Sequence, residues 1–600
     1  MMRVADYIAG HLKKIGVKDV FLLSGGGMMH LIDAVGRTEG IAYHCNHHEQ
    51  ACAMAAEAYA RLTHTLGVCY ATSGPGATNI LTGVVGAWLD SAPVLYITGQ
   101  TNTHQSIRGS GIEGLRQFGT FEVDIVPILK SVTKEAIFLS DPSLARYSLE
   151  KIIYRALHGR PGPVLLDVPL NVQGARIDPA LQKAYDPAED EEQCAPPSEE
   201  VITGILQRIR TSKRPVLLAG HGVRVAGAAA LFRKVIEKLN IPVATTQLAA
   251  DLLPYDHPLF VGHPGVKGDR PGAFAVQNAD LLLTMGSSLH IQTTGYELDQ
   301  FAPDAYKIQI ELDDAVIQKE KLGFSQKVKT DIVSFLTALD AKIPEQVDSV
   351  LHHDWRTQCT VWKNKYPVMK EPHNFSDGPV NYYEFQDTLQ TMLQSDEVIV
   401  ADAGSAFYII GQAFRCKESQ RYIASGGLAT MGYTVPAAIG AAFGAPHRTI
   451  IGITGDGSFH MNVPELQTIR QNNLNIKLFV LNNDGYSCIR NTQDTYFSGH
   501  HVGTDTGSGV SFPPFAGLAH AYGLPFIRCE NRSELRDCIR RTLDTPGPVF
   551  CEIVCQFRQD ILPLLTSEKK PDGSLEAKPL HDLFPFLPRE ELAANMYKKD

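Results

Sequence analysis

Short apolar runs that end in glycine-rich turns recur along the whole chain. In the first part of the sequence these runs are VFLLSGGG (20–27), GVCYATSGPG (67–76), PVLYITGQ (93–100) and PVLLDVP (163–169). Longer segments with helical spacing of apolar residues lie between them, for example EQACAMAAEAYARL (49–62). A strand buried on both faces reads as a continuous apolar run, and a helix carries the chain to the next parallel strand. The pattern therefore predicts an α/β fold built on doubly wound parallel sheets.

The same pattern occurs twice more, and two polar, proline-bearing breaks separate the three occurrences. The second set of apolar runs is RPVLLAGHG (214–222), IPVATT (241–246), ADLLLTMGSSL (279–289) and YKIQIELD (306–313). The third set is EVIVADAGS (397–405), RTIIGITGDGS (448–458), IKLFVLNNDG (476–485) and GPVFCEIV (547–554). The breaks are YDPAEDEEQCAPPSEE (185–200) and YPVMKEPHNFSDGP (366–379).

These breaks predict three α/β domains, two linkers and a tail. The domains are expected at 1–175, 201–345 and 380–560, the linkers at 176–200 and 346–379, and the C-terminal tail at 561–600. A chain of 600 residues has room for about three or four domains. The tail contains the apolar residues of LHDLFPFLPREEL (580–592), which predict that it docks on the body of the protein.

Composition restricts the partners of this chain. Its 65 acidic and 55 basic side chains give a net charge of -10, which provides no general attraction to nucleic acid or anionic lipid. The N-terminus lacks the apolar core of a secretory signal, and no uncharged apolar run reaches the ~20 residues that cross a bilayer. The 11 cysteines are scattered without a CxxC pair, which favours a reducing compartment. The sequence predicts a cytoplasmic protein that binds small molecules, with neither nucleic acid nor a membrane as a partner.

The most informative pattern joins the ends of two consecutive predicted strands. Gly455, Asp456 and Gly457 end one strand, and Asn483 ends the next strand, 27 residues after Asp456. Both ends face the same edge of a parallel sheet, which is where ligands of open α/β sheets bind. The Asp456 carboxylate, the Asn483 amide oxygen and the Gly485 carbonyl oxygen would form a set of hard ligands that suits Mg²⁺.

The residues after the first of these strands also suit a phosphate group. Gly457 and Ser458 open the following helix, where backbone amides and the helix dipole favour an anion. A GDG sequence alone is a common turn. The strand context and the second strand end favour a functional interpretation, namely a diphosphate bound together with magnesium.

The chain also resembles a known family over roughly residues 1 to 560. GDG followed by NN resembles the diphosphate-binding motif of thiamine diphosphate enzymes. The following segments are similar to segments of acetohydroxyacid (acetolactate) synthase and its relatives: HHEQACAMAAEAYAR, ATSGPGATN, LDSAPVLYITGQ, GRPGPVLLDVP and GLATMGYTVPAAIGA. The resemblance implies thiamine diphosphate and Mg²⁺ as cofactors, held between two subunits of a homodimer or homotetramer. It also implies that the three domains are a pyrimidine-binding, a middle and a diphosphate-binding domain.

Glu49 is the catalytic residue that the resemblance implies first. Its carboxyl group would hydrogen-bond the aminopyrimidine ring and so supply general acid/base function. Taken alone, Glu49 could equally be an acidic residue favoured by the dipole of a helix N-terminus. His47 and His48 precede it, and the sequence leaves open whether they relay protons or only pack beside the site.

The resemblance implies further residues around the cofactor. Gly26 and Gly27 correspond to a loop at the reacting centre, and Met431 to the apolar side chain beneath the bent cofactor. Gly404, Ser405 and Ala406 correspond to a loop that grips the diphosphate. The synthase has a polar Gln-His pair in that loop. This chain lacks the pair, so the backbone amides and the Ser405 hydroxyl would bind the diphosphate here. Taken alone, a flexible turn and an apolar core residue explain the glycines and Met431 as well.

Two departures from the synthase fall where the second substrate would bind. Phe121 stands where the synthase has a polar glutamine, and Thr492 stands where it has a tryptophan that narrows the acceptor pocket. The segments NNDGYSCIRNTQ and PLHDLFPFLPREEL resemble the yersiniose-type carboligases of branched-chain sugar pathways. Those enzymes add a two-carbon unit from pyruvate to a ketone on a nucleotide sugar.

The synthase carries FAD on its middle domain, and the resemblance allows FAD here without requiring it. The segments Gly220–Gly222 and Gly265–Lys267, together with Thr246, occupy comparable places. The arginine expected two residues after Gly286 is replaced by Ser288.

The resulting hypothesis is a thiamine diphosphate-dependent, decarboxylating carboligase. It would transfer an acetyl-type unit from pyruvate or another 2-oxo acid to a ketone or aldehyde, such as a keto sugar. The alternatives are acetohydroxyacid synthase proper, a pyruvate oxidase that uses FAD as a redox group, and a non-catalytic cofactor-binding homologue.

Overall fold

A computed structural model describes residues 1–190, 194–345, 350–375, 377–569 and 575–597. Parts of both predicted linkers and of the predicted tail therefore lie outside the described residues. No helix of these ranges is long and apolar enough to cross a membrane.

The described residues form three parallel sheets of six strands each, as the pattern of apolar runs predicts. The first sheet contains β1 (Asp19–Leu22), β2 (Ala42–Cys45), β3 (Gly67–Ala71), β4 (Val94–Gln100), β5 (Glu135–Phe138) and β6 (Val164–Pro169). The second contains β7 (Pro215–Ala219), β8 (Val243–Thr245), β9 (Phe260–Gly262), β10 (Leu281–Met285), β11 (Tyr306–Glu311) and β12 (Gln326–Lys329). The third contains β13 (Val398–Ala401), β14 (Arg421–Ala424), β15 (Ile450–Gly455), β16 (Ile476–Asn482), β17 (Phe526–Cys529) and β18 (Val549–Val554).

The first and third sheets share one strand order, and the middle sheet has another. The orders are β2-β1-β3-β4-β6-β5, β9-β8-β7-β10-β11-β12 and β14-β13-β15-β16-β18-β17. In open α/β sheets the strand order reverses at a switch point, where ligands bind beyond the carboxyl ends of the strands. The switch points lie between β1 and β3, between β7 and β10, and between β13 and β15. The first and third domains thus offer equivalent crevices.

Helices cover both faces of each sheet and complete the doubly wound architecture. In the first domain the helices of at least seven residues are α1 (Val4–Lys14), α2 (Met29–Arg37), α3 (Glu49–Thr63), α4 (Leu81–Leu89) and α5 (Ala145–Leu157). Around the middle sheet they are α6 (Glu199–Thr211), α7 (Ala229–Leu239), α8 (Arg270–Gln277), α9 (Ile332–Lys342) and α10 (His353–Lys365). In the third domain they are α11 (Tyr382–Met392), α12 (Gly404–Ala413), α13 (Thr434–Gly444), α14 (Glu465–Gln471), α15 (Ser487–Tyr496), α16 (Phe515–Ala521) and α17 (Leu535–Asp544).

The first and third domains of the chain pack on each other through α3 and α13. Both helices are rich in alanine, and one apolar cluster runs through both domains. A Cβ atom at Gly440 would lie 2.0 Å from the backbone oxygen of Ala55, so the two helices approach as closely as their backbones allow. This contact places the N-terminus of α3, which carries Glu49, beside the third domain.

The second break and the tail are more structured than a linker and a free tail would be. Helix α10 lies inside the segment expected as the second linker, and its Trp355 and Trp362 are buried. Leu580 and Leu583 of the tail lie in one apolar cluster with these two tryptophans and with residues of the middle domain. The tail therefore docks on the middle domain. Burial of the two tryptophans stabilises the packing of this part of the break on the domain. The domain boundaries themselves stay a prediction.

Candidate active site

The ends of β15 and β16 meet at the Asp456 carboxylate. Asp456 begins a short helix, Asp456–Phe459, directly after β15, and its side chain is buried. Its Oδ2 atom accepts hydrogen bonds from the backbone N–H groups of Asn483 (2.9 Å) and Gly485 (3.0 Å) beyond β16. Its Oδ1 atom accepts one from Gly457 (2.7 Å). Burial raises the pKa of the Asp456 carboxyl to about 6, against the effect of these three donors.

The side chain of Asn483 carries an oxygen that is available to bind a cation. Its amide nitrogen donates to the hydroxyl of Tyr382 at 3.1 Å, while its Oδ1 atom is buried and has no hydrogen-bond partner among the residues that the structure describes. A buried oxygen without a donor costs free energy unless a cation or another donor meets it. Because the backbone N–H of the same residue binds the Asp456 carboxylate, these two residues fit the Mg²⁺ that the sequence predicts.

Gly485 completes the turn, and its backbone conformation requires glycine. Its φ angle is +136°, and a Cβ atom there would lie 1.9 Å from the carbonyl oxygen of Thr504. The structure therefore brings the three predicted metal-binding residues, Asp456, Asn483 and Gly485, into one hydrogen-bonded group.

Arg490 holds this turn in place, and the sequence analysis missed it. The guanidinium is almost fully buried and donates to the carbonyl oxygens of Asn483 (2.9 Å), Asp484 (3.1 Å) and Thr504 (3.1 Å). It also stacks on the ring of Phe557, 3.8 Å from the centroid. Arg490 follows the NN pair closely and lies in α15, but nothing in the sequence shows which carbonyl groups it reaches.

The predicted diphosphate loops lie on both sides of the third switch point. Gly404, Ser405 and Ala406 form the first turn of α12, just after β13, and Gly455 ends β15. A Cβ atom at Gly455 would meet no atom of the described residues within 4 Å, which leaves open space at that strand end. Gly457 has the ring of Tyr486 packed against it, and Ser458 is buried. The backbone amides at the N-termini of α12 and of the short helix Asp456–Phe459 thus flank the crevice, an arrangement that favours an anion.

Met431 lies in the turn between β14 and α13 and is half-buried. The next residue, Gly432, is hydrogen-bonded to Ser458 of the predicted diphosphate site. Its N–H donates to the Ser458 hydroxyl (3.2 Å), and its carbonyl oxygen accepts from Asn462 (2.8 Å). Met431 therefore belongs to the same group of loops as Ser458.

In the first domain a single loop, Thr72 to Gly76, lies against three of the predicted site residues, Gly27, Phe121 and Glu49. The Thr72 hydroxyl accepts from the Gly27 N–H at 3.1 Å. Gly74 has a φ angle of +62°, and a Cβ atom there would lie 2.4 Å from the Phe121 carbonyl oxygen. A Cβ atom at Gly76 would lie 3.2 Å from Glu49 Oε1. This loop is the ATSGPGATN segment, to which the sequence analysis gave no role.

Glu49 is the first residue of α3 and is 7% exposed. Its Oε2 atom accepts a hydrogen bond from the side chain of Asn79 at 3.0 Å. The ring of His48 caps the helix by accepting from the Gln50 N–H at 3.0 Å, and both His47 and His48 are exposed in the chain. Within one chain the described contacts of the Glu49 carboxylate are therefore to its own domain, not to Asp456.

Gly26, Gly27 and Phe121 border this side of the site. Gly26 and Gly27 open a short 3-10 helix after β1, and in the described part of the chain no atom lies within 4 Å of a Cβ position at Gly26. Phe121 is 72% exposed and has a φ angle of +57°, a left-handed conformation that is rare for an aromatic residue. The carboxylate of Glu122 fixes this loop by accepting from the backbone N–H groups of Ile107 and Gly119.

Thr492 lies in α15, one helical turn beyond Cys488, and is exposed in the chain. Its hydroxyl donates to the Cys488 carbonyl oxygen at 3.1 Å. The Cys488 sulfur in turn lies 3.2 Å from the Ser405 hydroxyl. Thr492 therefore shares a helix face with a residue that touches the predicted diphosphate loop.

The glycines that suggested FAD lie at the switch point of the middle sheet. Cβ atoms at Gly220 and Gly222 would lie 2.3 Å and 2.7 Å from the carbonyl oxygen of Gly286. These close contacts account for the glycines without a bound nucleotide, so FAD stays an untested prediction.

Comparisons with known proteins agree with this architecture. Residues 2–118 match the family model described as the N-terminal TPP binding domain of thiamine pyrophosphate enzymes, where TPP is thiamine diphosphate. Residues 202–339 match the central domain, and residues 402–553 match the C-terminal TPP binding domain. The fold and the matched domains thus define a thiamine diphosphate-dependent enzyme.

Similar proteins extend over almost the whole chain. Acetolactate synthase 1, chloroplastic, from Zea mays is 32% identical over 571 residues, which are 94% of this chain and 87% of the relative. Acetolactate synthase, chloroplastic, from Arabidopsis thaliana is 32% identical and is covered over 83% of its length. The acetolactate synthase large subunit from Cyanidium caldarium is 32% identical and is covered over 94%. The chain belongs to the acetolactate synthase family.

Proposed function

We propose that the protein is a decarboxylating carboligase that depends on thiamine diphosphate and Mg²⁺. It takes pyruvate or another 2-oxo acid as donor and releases carbon dioxide. It transfers the remaining acetyl-type unit to the carbonyl group of a ketone or aldehyde, such as a keto sugar. The observation that carries this proposal is that the Asp456 carboxylate accepts the backbone N–H of Asn483, whose buried side-chain oxygen has no hydrogen-bond partner among the described residues.

In the proposed reaction the side chains and backbone of the protein bind and orient the cofactor, and one side chain holds a proton at its pyrimidine ring. Asp456, Asn483 and the Gly485 carbonyl would hold Mg²⁺, and the first turn of α12 would hold the diphosphate oxygens. Thiamine diphosphate, when bound, supplies the carbanion that attacks the donor carbonyl carbon. Glu49 would hold a proton at the pyrimidine ring nitrogen, and Met431 would support the ring system from below. An apolar surround at the reacting carbon favours loss of carbon dioxide.

Phe121 and Thr492 support a bulky acceptor of the kind used by yersiniose-type carboligases. Threonine fills much less space than the tryptophan of the synthase, and an exposed Phe121 offers an apolar face in place of an amide. The left-handed backbone of Phe121 also supports a functional position, because such strain is tolerated where the surrounding structure requires it.

Acetolactate synthase activity is the second candidate, and the relatives at 32% identity favour it. In that case the acceptor is a second 2-oxo acid. Both candidates use the same donor chemistry, and they differ only in the acceptor.

We further propose a homodimer or homotetramer in which each site is shared between two subunits. This proposal is supported by the contacts of Glu49, which within one chain join it to Asn79 and the Gly76 loop. A partner subunit would then bring a second diphosphate-binding domain to Glu49.

The test is to incubate the protein, thiamine diphosphate and Mg²⁺ with pyruvate and a panel of keto sugars, ketones and aldehydes, and to identify the products by mass. Sugar or ketone adducts support the proposal, and acetolactate as the sole product supports the synthase. Pyruvate-dependent reduction of bound FAD without a carbon–carbon product would indicate an oxidase. Absence of carbon dioxide release from every 2-oxo acid would indicate a non-catalytic homologue.

A further inference from the structure

Three side chains of metal-ligating types meet at one edge of the third sheet. Cys529 is the last residue of β17, Glu534 ends the short 3-10 helix Arg532–Glu534, and Cys538 lies in the first turn of α17. The two sulfur atoms and a carboxylate oxygen all lie within 4.8 Å of one another. Strands β16 and β18 separate β17 from β15, which ends at Asp456. The cluster is therefore separate from the predicted Mg²⁺ site.

The packing of α17 on the sheet brings the two cysteines together. One face of the helix is buried, and it contains Leu535, Cys538, Ile539 and Thr542. Cys529 is buried in the same apolar cluster. Both are free cysteines, and each thiol donates to a backbone carbonyl oxygen, Cys529 to Asn531 at 3.2 Å and Cys538 to Arg528 at 3.5 Å. Burial raises the pKa of both thiols, so each keeps its proton unless a cation displaces it.

The Glu534 carboxylate lies on the solvent side of the two sulfur atoms, because Glu534 is exposed and both cysteines are buried. Its Oε2 atom accepts from the Glu530 N–H and its Oε1 atom from the Asn531 side chain, both at 3.3 Å. These bonds hold the carboxylate over the turn instead of leaving it free in solvent. The cluster thus has a fixed carboxylate and an entry path for an ion.

Apolar packing alone does not explain this cluster. A free cysteine is often buried simply as a small apolar side chain. That explanation accounts for the two sulfur atoms, but it gives no reason for a carboxylate held within 4.8 Å of both. Two thiolates and a carboxylate are ligands that Zn²⁺ takes in proteins. Mg²⁺ prefers oxygen ligands, so the two sites of the third domain would select different metals.

We propose that Cys529, Glu534 and Cys538 bind one Zn²⁺ ion, with water as the fourth ligand. Binding releases one proton from each thiol, so two thiolates and one carboxylate hold the ion. Zn²⁺ holds sulfur at about 2.3 Å, which places two sulfur ligands of a tetrahedral site about 3.8 Å apart, and small side-chain rotations produce that spacing here. The ion joins β17 to α17 and stabilises this edge of the domain. It has no part in the proposed carboligase reaction, and the inference does not depend on that reaction.

The experiment measures Zn²⁺ binding by the holoenzyme. The reduced protein is freed of metals with a chelator, reloaded with thiamine diphosphate and excess Mg²⁺, and titrated with Zn²⁺ alone. We expect one Zn²⁺ per chain to remain bound through gel filtration, as counted by metal analysis. Co²⁺ in place of Zn²⁺ should give the near-ultraviolet charge-transfer absorption of a cobalt–thiolate bond, which the oxygen ligands of the predicted Mg²⁺ site cannot produce.

Variants of the three ligands test each of them. Cys529→Ser and Cys538→Ser should lose both the bound ion and the cobalt–thiolate absorption. Glu534→Gln should bind Zn²⁺ about 10-fold more weakly or worse, because the ion keeps two thiolates but loses its third charged ligand. Glu534 is exposed, so this variant tests the site without altering the core. Glu530→Gln, in the same turn, and Cys194→Ser, outside the cluster, should bind Zn²⁺ like the unaltered protein.

Absence of a bound Zn²⁺ ion in the unaltered protein would overturn the proposal. So would binding that survives both cysteine substitutions, or equal affinity in Glu534→Gln and Glu530→Gln. A disulfide between Cys529 and Cys538, detected by mass in protein kept without reductant, would overturn it as well if the reduced protein bound no Zn²⁺. These readouts are metal content, affinity and absorption, so failure of the proposed carboligase function would leave them unchanged.

Discussion

The carboxylate of Glu465 accepts a hydrogen bond of 2.8 Å from the backbone N–H of His47, two residues before Glu49. The other carboxylate oxygen accepts from the side chains of Asn46 (2.8 Å) and Thr468 (2.7 Å). Glu465 is fully buried and begins α14 in the third domain. The third domain of each chain therefore fixes the loop that starts α3 in the first domain, and with it the position of Glu49.

This relationship predicts that Glu465 positions Glu49, the glutamate with the proposed catalytic role. In Glu465→Gln, the Asn46 and His47 donors lose a charged acceptor, and hydrogen bonds to charged groups are worth about 1.5–3 kcal/mol. We expect kcat to fall about 10-fold or more, with little change in the affinity for thiamine diphosphate or in the KM for pyruvate. Steady-state kinetics and calorimetry measure these quantities.

Two further variants separate positioning from general damage. Glu465→Asp, which keeps the charge, should recover part of kcat, and Arg470→Gln, on the exposed face of the same helix, should behave like the unaltered protein. A Glu465→Gln protein with normal kcat, or one that loses cofactor affinity and kcat equally, would show that Glu465 does not act through Glu49.

Glu49→Gln should retain the cofactor and lose most turnover. The proposed diphosphate-binding loops are in another domain and stay intact, whereas the pyrimidine ring would lose its proposed acidic partner. We expect kcat to fall by at least the ~10² typical of a general acid/base residue. The measurement is carbon dioxide release at saturating cofactor, with Glu39→Gln, an exposed glutamate of the same domain, as the control. Near-normal turnover would remove Glu49 from the mechanism.

Asp456→Asn should abolish Mg²⁺-dependent binding of thiamine diphosphate. The substitution keeps the size of the side chain, but the metal loses its charged protein ligand. Titration of the cofactor by calorimetry, with and without Mg²⁺, tests this directly. Asp484→Asn is the matched control, because Asp484 is exposed on the same turn. Equal, Mg²⁺-dependent affinity in both variants would refute the metal role of Asp456.

The sequence predicts the inner strands of all three sheets and misses both edge strands of each. The inner strands are buried on both faces and therefore read as continuous apolar runs. The edge strands β2, β5, β12 and β17 carry polar or partly exposed residues, as in AYHC and QKVK, and β9 has only three residues. Edge strands need less apolar surface, so their pattern resembles that of a loop.

The candidate site likewise contains some residues whose positions follow from the sequence pattern and others whose positions do not. Asp456 and Asn483 could be predicted because each directly follows an inner strand, and the strand order brings those ends together. Glu465 and Arg490 could not, because their partners, the His47 N–H and several backbone carbonyls, depend on domain packing and loop conformation. A sequence shows which groups a residue carries, but not which distant backbone groups need them.

The choice of acceptor provides the last prediction, which concerns Thr492. Thr492 lies on the α15 face that contains Cys488, and an indole there would fill space beside the predicted diphosphate loop. Thr492→Trp should therefore depress kcat/KM for a bulky ketone much more than for pyruvate as acceptor, because steric exclusion can act on one substrate alone. Thr360→Trp is the control, since Thr360 is an exposed helical threonine with the same hydroxyl bond to the carbonyl four residues earlier. An unchanged ratio of the two kcat/KM values would show that Thr492 does not line the acceptor pocket.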